Sequence, residues 1–132
     1  MKTKQFWYFR TVTDEDVDNF QNDSILLPVE DITIILPTAA DELTIYHKQS
    51  TRVQAQAEVV AGRNGRIILN VTAGKTEQVM RALIADINAS PRNKPSGVTT
   101  IADDSTTELD DSTRSPIYID SGITSCGSLF TK

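Results

Sequence analysis

The sequence predicts an α+β domain, mostly antiparallel β-sheet with one packed helix. Its 132 residues are a typical length for a single domain, which we place at 1–132. Hydrophobic residues make up 39% and charged residues 23% of the chain, so a core can form and neither disorder nor membrane insertion is indicated. One stretch, at about 76–89, carries apolar residues at helical spacing, whereas most of the chain consists of short apolar runs separated by acidic, glycine or proline turns.

Strands are predicted where short runs are apolar, β-branched or alternating. They lie at 5–12, 25–28, 32–37, 43–47, 66–71, 98–102, 117–119 and 123–129. Pro28 and Pro37 restrict their strands to pairing at strand ends or sheet edges, because proline has no N–H to donate.

A hairpin is predicted around Asn64-Gly65. Both residues tolerate a positive φ, as the central pair of a type I′ turn requires. The turn would join a strand at 53–61 to the strand at 66–71. Residues 54–58 could equally begin a short helix, and that alternative stays open.

The helix is predicted from apolar residues that recur at steps of three and four. They are Val79, Met80, Leu83, Ile84 and Ile87. Glu77 falls in the first turn, where a negative charge suits the helix dipole, and Ser90-Pro91 ends the element. Each large aliphatic side chain that packs on a sheet contributes roughly 1.5–3 kcal/mol, so the helix is expected to organise the core.

The charge of the chain disfavours nucleic acid as a partner. The net charge is −5 at pH 7 and the 13 basic residues are scattered, whereas nonspecific affinity comes from Lys and Arg that release phosphate counterions. No apolar run approaches the roughly 20 residues of a membrane span, so no membrane partner is expected. Acidic residues gather at 14–18 and 103–111, and both groups are predicted to be solvated loops.

The segment Ala73-Gly-Lys-Thr76 lies between a predicted strand and the helix, as a phosphate-binding loop would. Such a loop needs an earlier glycine that lets the backbone wrap the phosphates, and Leu69 stands at that position. We therefore favour a strand-to-helix turn in which Gly74 relaxes the backbone and Thr76 caps the helix. Nucleotide binding through Gly74, Lys75 and Thr76 is the alternative.

The acidic segment Asp14-x-Asp16-x-Asp18 has the spacing of the first calcium ligands in an EF-hand loop. Its twelfth position, which should be a bidentate Glu, is Ile25, and no helix pair is predicted around it. A solvated loop is favoured over a cation site.

Two residues, His47 and Cys126, would have to carry any imidazole or thiol chemistry, since each is the sole representative of its type. A triad would have to run through His47, and an ordinary strand histidine is favoured instead. One His and one Cys cannot supply the usual zinc ligands, and Cys126 is expected to be a small buried residue without a disulfide. No catalytic, cofactor-binding or metal-binding residues are therefore predicted.

The opening strand carries bulky side chains on both faces, with Phe6 and Tyr8 on one and Trp7 and Phe9 on the other. A small sheet has difficulty covering both faces, and exposed aromatic surface is typical of protein interfaces. We expect one face to pack on the core and the other to meet a neighbouring protein, which makes Phe6, Trp7, Tyr8 and Phe9 the candidate interface. The alternative is that both faces are covered within the chain.

The order of several segments resembles that of small virion proteins encoded by marine tailed phages, including cyanophages. The segments are Phe6–Thr11, the Asp-rich loop, Leu26–Ile32, Leu43–Tyr46, Asn70–Ser90, Ile101–Ser105 and Ile123–Ser128. The resemblance covers most of the chain and matches 53–66 least well. It implies a non-enzymatic capsid decoration or cement protein, with no catalytic residues to transfer.

The expected partners follow from this resemblance. They are the major capsid protein and further copies of the chain in a homo-oligomer, in the virion and, during assembly, in the host cytoplasm. A tail or neck component is the alternative among structural roles, and a small phage-encoded nucleotide-binding protein or enzyme is the alternative from another class.

Overall fold

The computed structural model describes residues 5–11, 24–48, 65–89, 97–106 and 113–130. Eight strands and one α-helix lie in these ranges: β1 Phe6–Arg10, β2 Ser24–Pro28, β3 Ile32–Ala39, β4 Glu42–His47, β5 Gly65–Val71, α1 Thr76–Asn88, β6 Val98–Asp103, β7 Ile117–Tyr118 and β8 Ile123–Phe130. The predicted α+β class, mostly antiparallel sheet with one helix, is confirmed.

The strands form two four-stranded sheets. Sheet A has the order β2-β1-β6-β7, in which only the β1–β6 pair is parallel, and sheet B has the order β3-β4-β5-β8 with every pair antiparallel. A single 3₁₀ turn, Val29–Asp31, separates β2 from β3, so the chain passes directly from the edge of sheet A to the edge of sheet B.

Both sheets and the helix contribute to one hydrophobic core. Its buried members are Trp7, Phe9, Leu27, Leu43, Ile45, Ile67, Leu69, Val71, Val79, Leu83, Ile101, Ala102, Ile123, Cys126 and Leu129. Alternate residues of β4 and β5 enter this core from sheet B, because side chains alternate between the two faces of a strand.

The helix α1 is attached to sheet A by polar contacts as well as by its apolar stripe. The Asp86 carboxylate accepts hydrogen bonds from Trp7 Nε1 at 2.7 Å and from Thr99 Oγ1 at 2.9 Å. At the end of the helix, Gln5 Nε2 donates to the carbonyl oxygen of Ala89 at 3.2 Å. These contacts fix the C-terminal half of α1 against β1 and β6.

One residue of the predicted apolar stripe, Ile84, does not face the core. Val79 and Leu83 are fully buried and Met80 and Ile87 are partly buried, but Ile84 is 53% exposed. Ile84 follows Leu83 by one residue, which turns it about 100° around the helix axis, out of the face that contacts the sheets.

The predicted hairpin at Asn64-Gly65 is wrong for the half that the structure describes. Gly65 is the first residue of β5, and both edges of β5 are occupied, one by β4 and the other by β8. Residues 66–71 therefore cannot pair with 53–61, a range that lies outside the described residues together with the alternative helix at 54–58.

Both prolines lie in edge strands, as predicted from their lack of a backbone N–H donor. Pro28 ends β2, the edge strand of sheet A, and Pro37 lies in β3, the edge strand of sheet B. Within the described ranges, no helix is long and apolar enough to cross a bilayer.

Candidate functional site

The aromatic strand β1 divides its side chains between the core and the outside of the domain. Trp7 and Phe9 are fully buried and meet edge to face, with ring centroids 6.5 Å apart and an interplanar angle of 72°. These two rings form part of the chain's own core, so they are not accessible to a partner while the domain is folded.

The opposite side of β1 is less covered, since Phe6 and Tyr8 are only partly buried. Leu26, which lies directly opposite Tyr8 on β2, is 50% exposed. Cross-strand partners share one face of a sheet, which extends this surface on either side of β1. We call it the outer face of sheet A; its members are Phe6, Tyr8, Leu26, Pro28, Val98 and Thr100.

Arg10 holds the Tyr8 ring in place at one end of this face. Its guanidinium carbon lies 5.5 Å from the ring centroid, and its Nε donates to the Tyr8 hydroxyl at 2.8 Å. The same Nε is 3.6 Å from Asp103 Oδ1, so Arg10 is itself anchored to the end of β6. A partner would therefore meet a Tyr8 side chain that has already lost much of its rotamer freedom.

A buried polar cluster lies at the end of β6, where Asp103, Asp104 and Ser105 are all less than about a tenth exposed. Asp103 pairs with Arg114 and accepts the Ser105 backbone N–H at 3.0 Å. Arg114 Nε donates in turn to the Ser105 carbonyl oxygen at 3.0 Å. The predicted solvated loop is thus wrong for Asp103 and Asp104, because both are buried and the first of them pairs with Arg10 and Arg114. Residues 107–112 lie outside the described ranges.

Asp104 links the two sheets. Its Oδ1 accepts the Tyr118 hydroxyl at 2.6 Å, and its two carboxylate oxygens accept the Cys126 backbone N–H at 2.9 and 3.1 Å. Tyr118 belongs to β7 in sheet A and Cys126 to β8 in sheet B. The carboxylate therefore joins both sheets to the end of β6.

Burial sets the protonation of this cluster. It raises the pKa of Asp104, against the lowering effect of the Tyr118 and Cys126 hydrogen bonds, and the neighbouring Asp103 raises it further. Burial also raises the pKa of the Tyr118 phenol and of the Cys126 thiol, with Asp104 adding to both. Tyr118 thus stays a hydrogen-bond donor and Cys126 stays a thiol, which is a poor nucleophile.

The turn before α1 agrees with the predicted role of Gly74 but not with the predicted role of Thr76. Gly74 has φ +84°, a conformation that favours glycine. The helix begins at Thr76, with Lys75 as the N-cap residue and no side-chain cap, so the predicted Thr76 cap is wrong. The Lys75 carbonyl accepts the first helical bond, from the Val79 N–H at 3.1 Å. Leu69, at the position of the missing glycine, is fully buried in β5.

His47 is a packed histidine at the end of β4, 2% exposed. Its Nδ1 lies 2.9 Å from the Lys48 carbonyl oxygen and therefore donates, while Nε2 has no hydrogen-bond partner among the described residues. Gly65 lies opposite on β5, and a Cβ there would come within 2.2 Å of the imidazole Cε1. His47 is thus a residue of a strand, as favoured, and neither ring nitrogen bonds to a Ser or Asp of the described chain.

The remaining candidates are placed as follows. Cys126 is 3% exposed in β8, as a small buried residue should be. The Asp14–Asp18 loop lies outside the described ranges, and the described part of the chain contains no group of three His, Cys, Asp or Glu residues that could hold a metal ion.

Comparisons of the chain with models of protein families, with curated proteins and with solved structures found no match.

Proposed function

We propose that this protein is a non-enzymatic structural protein of a phage virion, a capsid decoration or cement protein that binds the major capsid protein and further copies of itself. The observation that carries the proposal is the outer face of sheet A. Phe6, Tyr8 and Leu26 leave apolar area in contact with solvent on a surface whose other side is the hydrophobic core.

Such a surface has the properties of a binding face. Covering apolar area gains roughly 25 cal/mol per Å², and aromatic residues are enriched at the centres of protein interfaces. Tyr8 is held by Arg10, and its own strand, β1, is fixed by Trp7 and Phe9 in the core. Little conformational entropy would be lost when the face is covered, which favours tight association.

The partner that fits this role is a flat, largely neutral surface of the capsid shell. None of the six residues of the outer face is charged, and Arg10 at its end is 3.6 Å from Asp103, so recognition would rest mainly on shape and apolar contact. A tail or neck protein would use the same face on another partner. Nucleotide binding has less support, because the backbone that would have to wrap a phosphate includes the buried Leu69.

The proposal is tested by replacing the outer face in the phage and measuring how much protein enters the virion. Phe6→Ser and Tyr8→Ser should each lower incorporation by about tenfold or more, since truncating a central aromatic side chain of an interface typically costs this much. Ile34→Ser is the matched control, because Ile34 is a 52% exposed apolar residue on the other sheet.

Incorporation is measured by quantitative mass spectrometry of purified virions, and thermal melts of the isolated variants check that each remains folded. Full incorporation of folded Phe6→Ser and Tyr8→Ser variants would rule out the outer face as the attachment surface.

A further inference from the structure

We propose that the Tyr8 hydroxyl is the specificity-determining group of the outer face of sheet A. It donates a hydrogen bond to a neutral carbonyl oxygen of the partner, and Arg10 is its positioning residue. This inference deepens the proposed function and rests on it, because it concerns the chemistry of the surface that the outer face contacts. Apolar contact alone would require no acceptor at that point of the partner.

The hydrogen bond between Arg10 and Tyr8 has a defined direction. The Arg10 Nε–H donates to the Tyr8 hydroxyl oxygen at 2.8 Å, and a guanidinium has no acceptor atom. The hydroxyl oxygen is therefore the acceptor, and its own proton is directed elsewhere. Tyr8 thus keeps one hydrogen-bond donor that the arginine cannot engage.

The described part of the chain offers no acceptor to this proton. Leu26 and Thr100 lie opposite Tyr8 on the neighbouring strands β2 and β6. The Leu26 side chain is apolar, and among the described residues no hydrogen bond joins Thr100 to Tyr8. A partner that covers the face must supply an acceptor, because a buried donor left unpaired costs binding free energy.

Arg10 is in turn held by a buried carboxylate. Its Nε is 3.6 Å from Asp103 Oδ1, and its guanidinium carbon lies 5.5 Å from the centroid of the Tyr8 ring. Asp103 is buried and pairs also with Arg114. The Tyr8 hydroxyl is therefore fixed from the interior of the domain, so little entropy is lost when it binds. The bond accepted from a cation also polarises the hydroxyl into a stronger donor.

The charges around Tyr8 favour a neutral acceptor over a carboxylate. No residue of the outer face is charged, and Arg10 already faces Asp103. A partner carboxylate would lose its water against this apolar surface, and the nearest cation is already shared with Asp103. A carbonyl group loses less on burial. The partner that fits is an apolar protein surface with a carbonyl oxygen opposite Tyr8.

Competition for places in the virion tests the inference. Each variant is expressed beside the wild-type protein in the infected host, and mass spectrometry measures their ratio in the cells and in purified virions. Tyr8→Phe keeps the ring and removes only the hydroxyl, so it should enter virions about fivefold less than wild type. Tyr46→Phe, at a partly buried tyrosine of sheet B, is the matched control and should enter as the wild type does.

Arg10→Met and Arg114→Met separate positioning from stability. Each removes one of the two arginines that pair with Asp103, but only Arg10 bonds to Tyr8 among the described contacts. With both variants folded in thermal melts, Arg10→Met should lower incorporation and Arg114→Met should not. In a Tyr8→Phe background Arg10→Met should have little further effect, because Arg10 acts through the hydroxyl. If Arg10→Met does not fold, the Tyr8→Phe ratio decides.

Leu26→Lys tests the charge of the acceptor, because it places a cation opposite Tyr8. A neutral carbonyl predicts reduced incorporation, whereas incorporation equal to or above that of the wild type would indicate a partner carboxylate and overturn the neutral acceptor.

A folded Tyr8→Phe variant that enters virions as well as the wild type overturns the inference. If Tyr8→Ser is still excluded, the proposed function stands without it. Normal incorporation of both Phe6→Ser and Tyr8→Ser overturns the proposed attachment surface itself.

Discussion

At the scale of single residues, the structure places polar groups where the fold needs a link between layers. Asp86 ties α1 to β1 and β6, and Asp104 ties β6 to β7 and β8. Each carboxylate accepts bonds from two elements, and these bonds compensate for the loss of water around the buried Asp104 and the partly buried Asp86. The consequences are testable one residue at a time.

Asp104 should give the stability of the protein a specific pH dependence. Its pKa is raised in the folded chain, chiefly by burial, so its contribution to stability is complete below the ordinary carboxyl pKa and is lost as pH rises through the folded value. Asp104→Asn keeps an acceptor oxygen but does not titrate. We expect the difference in unfolding free energy between wild type and this variant to shift in favour of the variant as pH rises.

Chemical denaturation from about pH 3 to pH 7, the range in which carboxyls titrate, measures this difference. Asp41→Asn, at an exposed turn, is the control. A difference for Asp104→Asn that is independent of pH would show that burial does not control the carboxyl.

Gly65 and His47 should be energetically coupled. Gly65→Ala would place a Cβ 2.2 Å from the imidazole Cε1 and should destabilise the fold by about 1–3 kcal/mol, as overpacking does. In a His47→Ala background the ring is gone and the cost should largely disappear. A double-mutant cycle of unfolding free energies checks this, and equal costs in both backgrounds would contradict the packing.

At the scale of elements, the helix was the most predictable part of the chain. The pairing partners of the strands were the least predictable. A stripe at helical spacing identifies α1 and its ends, but it does not decide which flank of a wide stripe faces the core, and Ile84 was misassigned for that reason. The Asn64-Gly65 dipeptide suggested a local hairpin. Tertiary pairing prevailed instead, because β4 and β8 both add to β5 across long sequence separations.

The helix packing gives a direct comparison between adjacent residues. Leu83→Ala should cost about 2–5 kcal/mol of unfolding free energy, because Leu83 is fully buried. Ile84→Ala should cost much less, since its side chain is half exposed. Urea denaturation measures both, and similar losses would mean that the helix is rotated from the described orientation.

The strand-to-helix turn should have no role in binding phosphate. Lys75 is exposed, and its turn is built by a backbone bond from the Lys75 N–H to the Thr72 carbonyl oxygen at 2.9 Å. We expect isothermal titration with ATP to give no binding heat and Lys75→Ala to leave the melting temperature unchanged. Micromolar ATP binding that is lost in Lys75→Ala would revive the nucleotide-binding alternative.

At the scale of the whole molecule, the sequence predicted that one aromatic face of β1 packs on the core and the other lies outside, with internal cover of both faces as the alternative, but it could not say which face would stay outside. That choice depends on where β2 and β6 pair with β1 and on the core that Trp7 and Phe9 share with sheet B and α1. Leu26 was not singled out, because its exposure depends on its place opposite Tyr8 in the β1–β2 pair. The buried cluster was missed because Arg10 is remote in sequence from Asp103 and because the sequence does not show that Arg114 folds back onto Asp103.

The central claim is that this domain is a structural component of the virion, attached through the outer face of sheet A. The most direct measurement is the copy number of the wild-type protein in purified virions, by quantitative mass spectrometry with the major capsid protein as the internal reference. The proposed role predicts a ratio close to a simple stoichiometry with the capsid protein. Absence from the virion would contradict the claim, and a ratio of only a few copies per particle would replace the capsid with the tail or neck as its location.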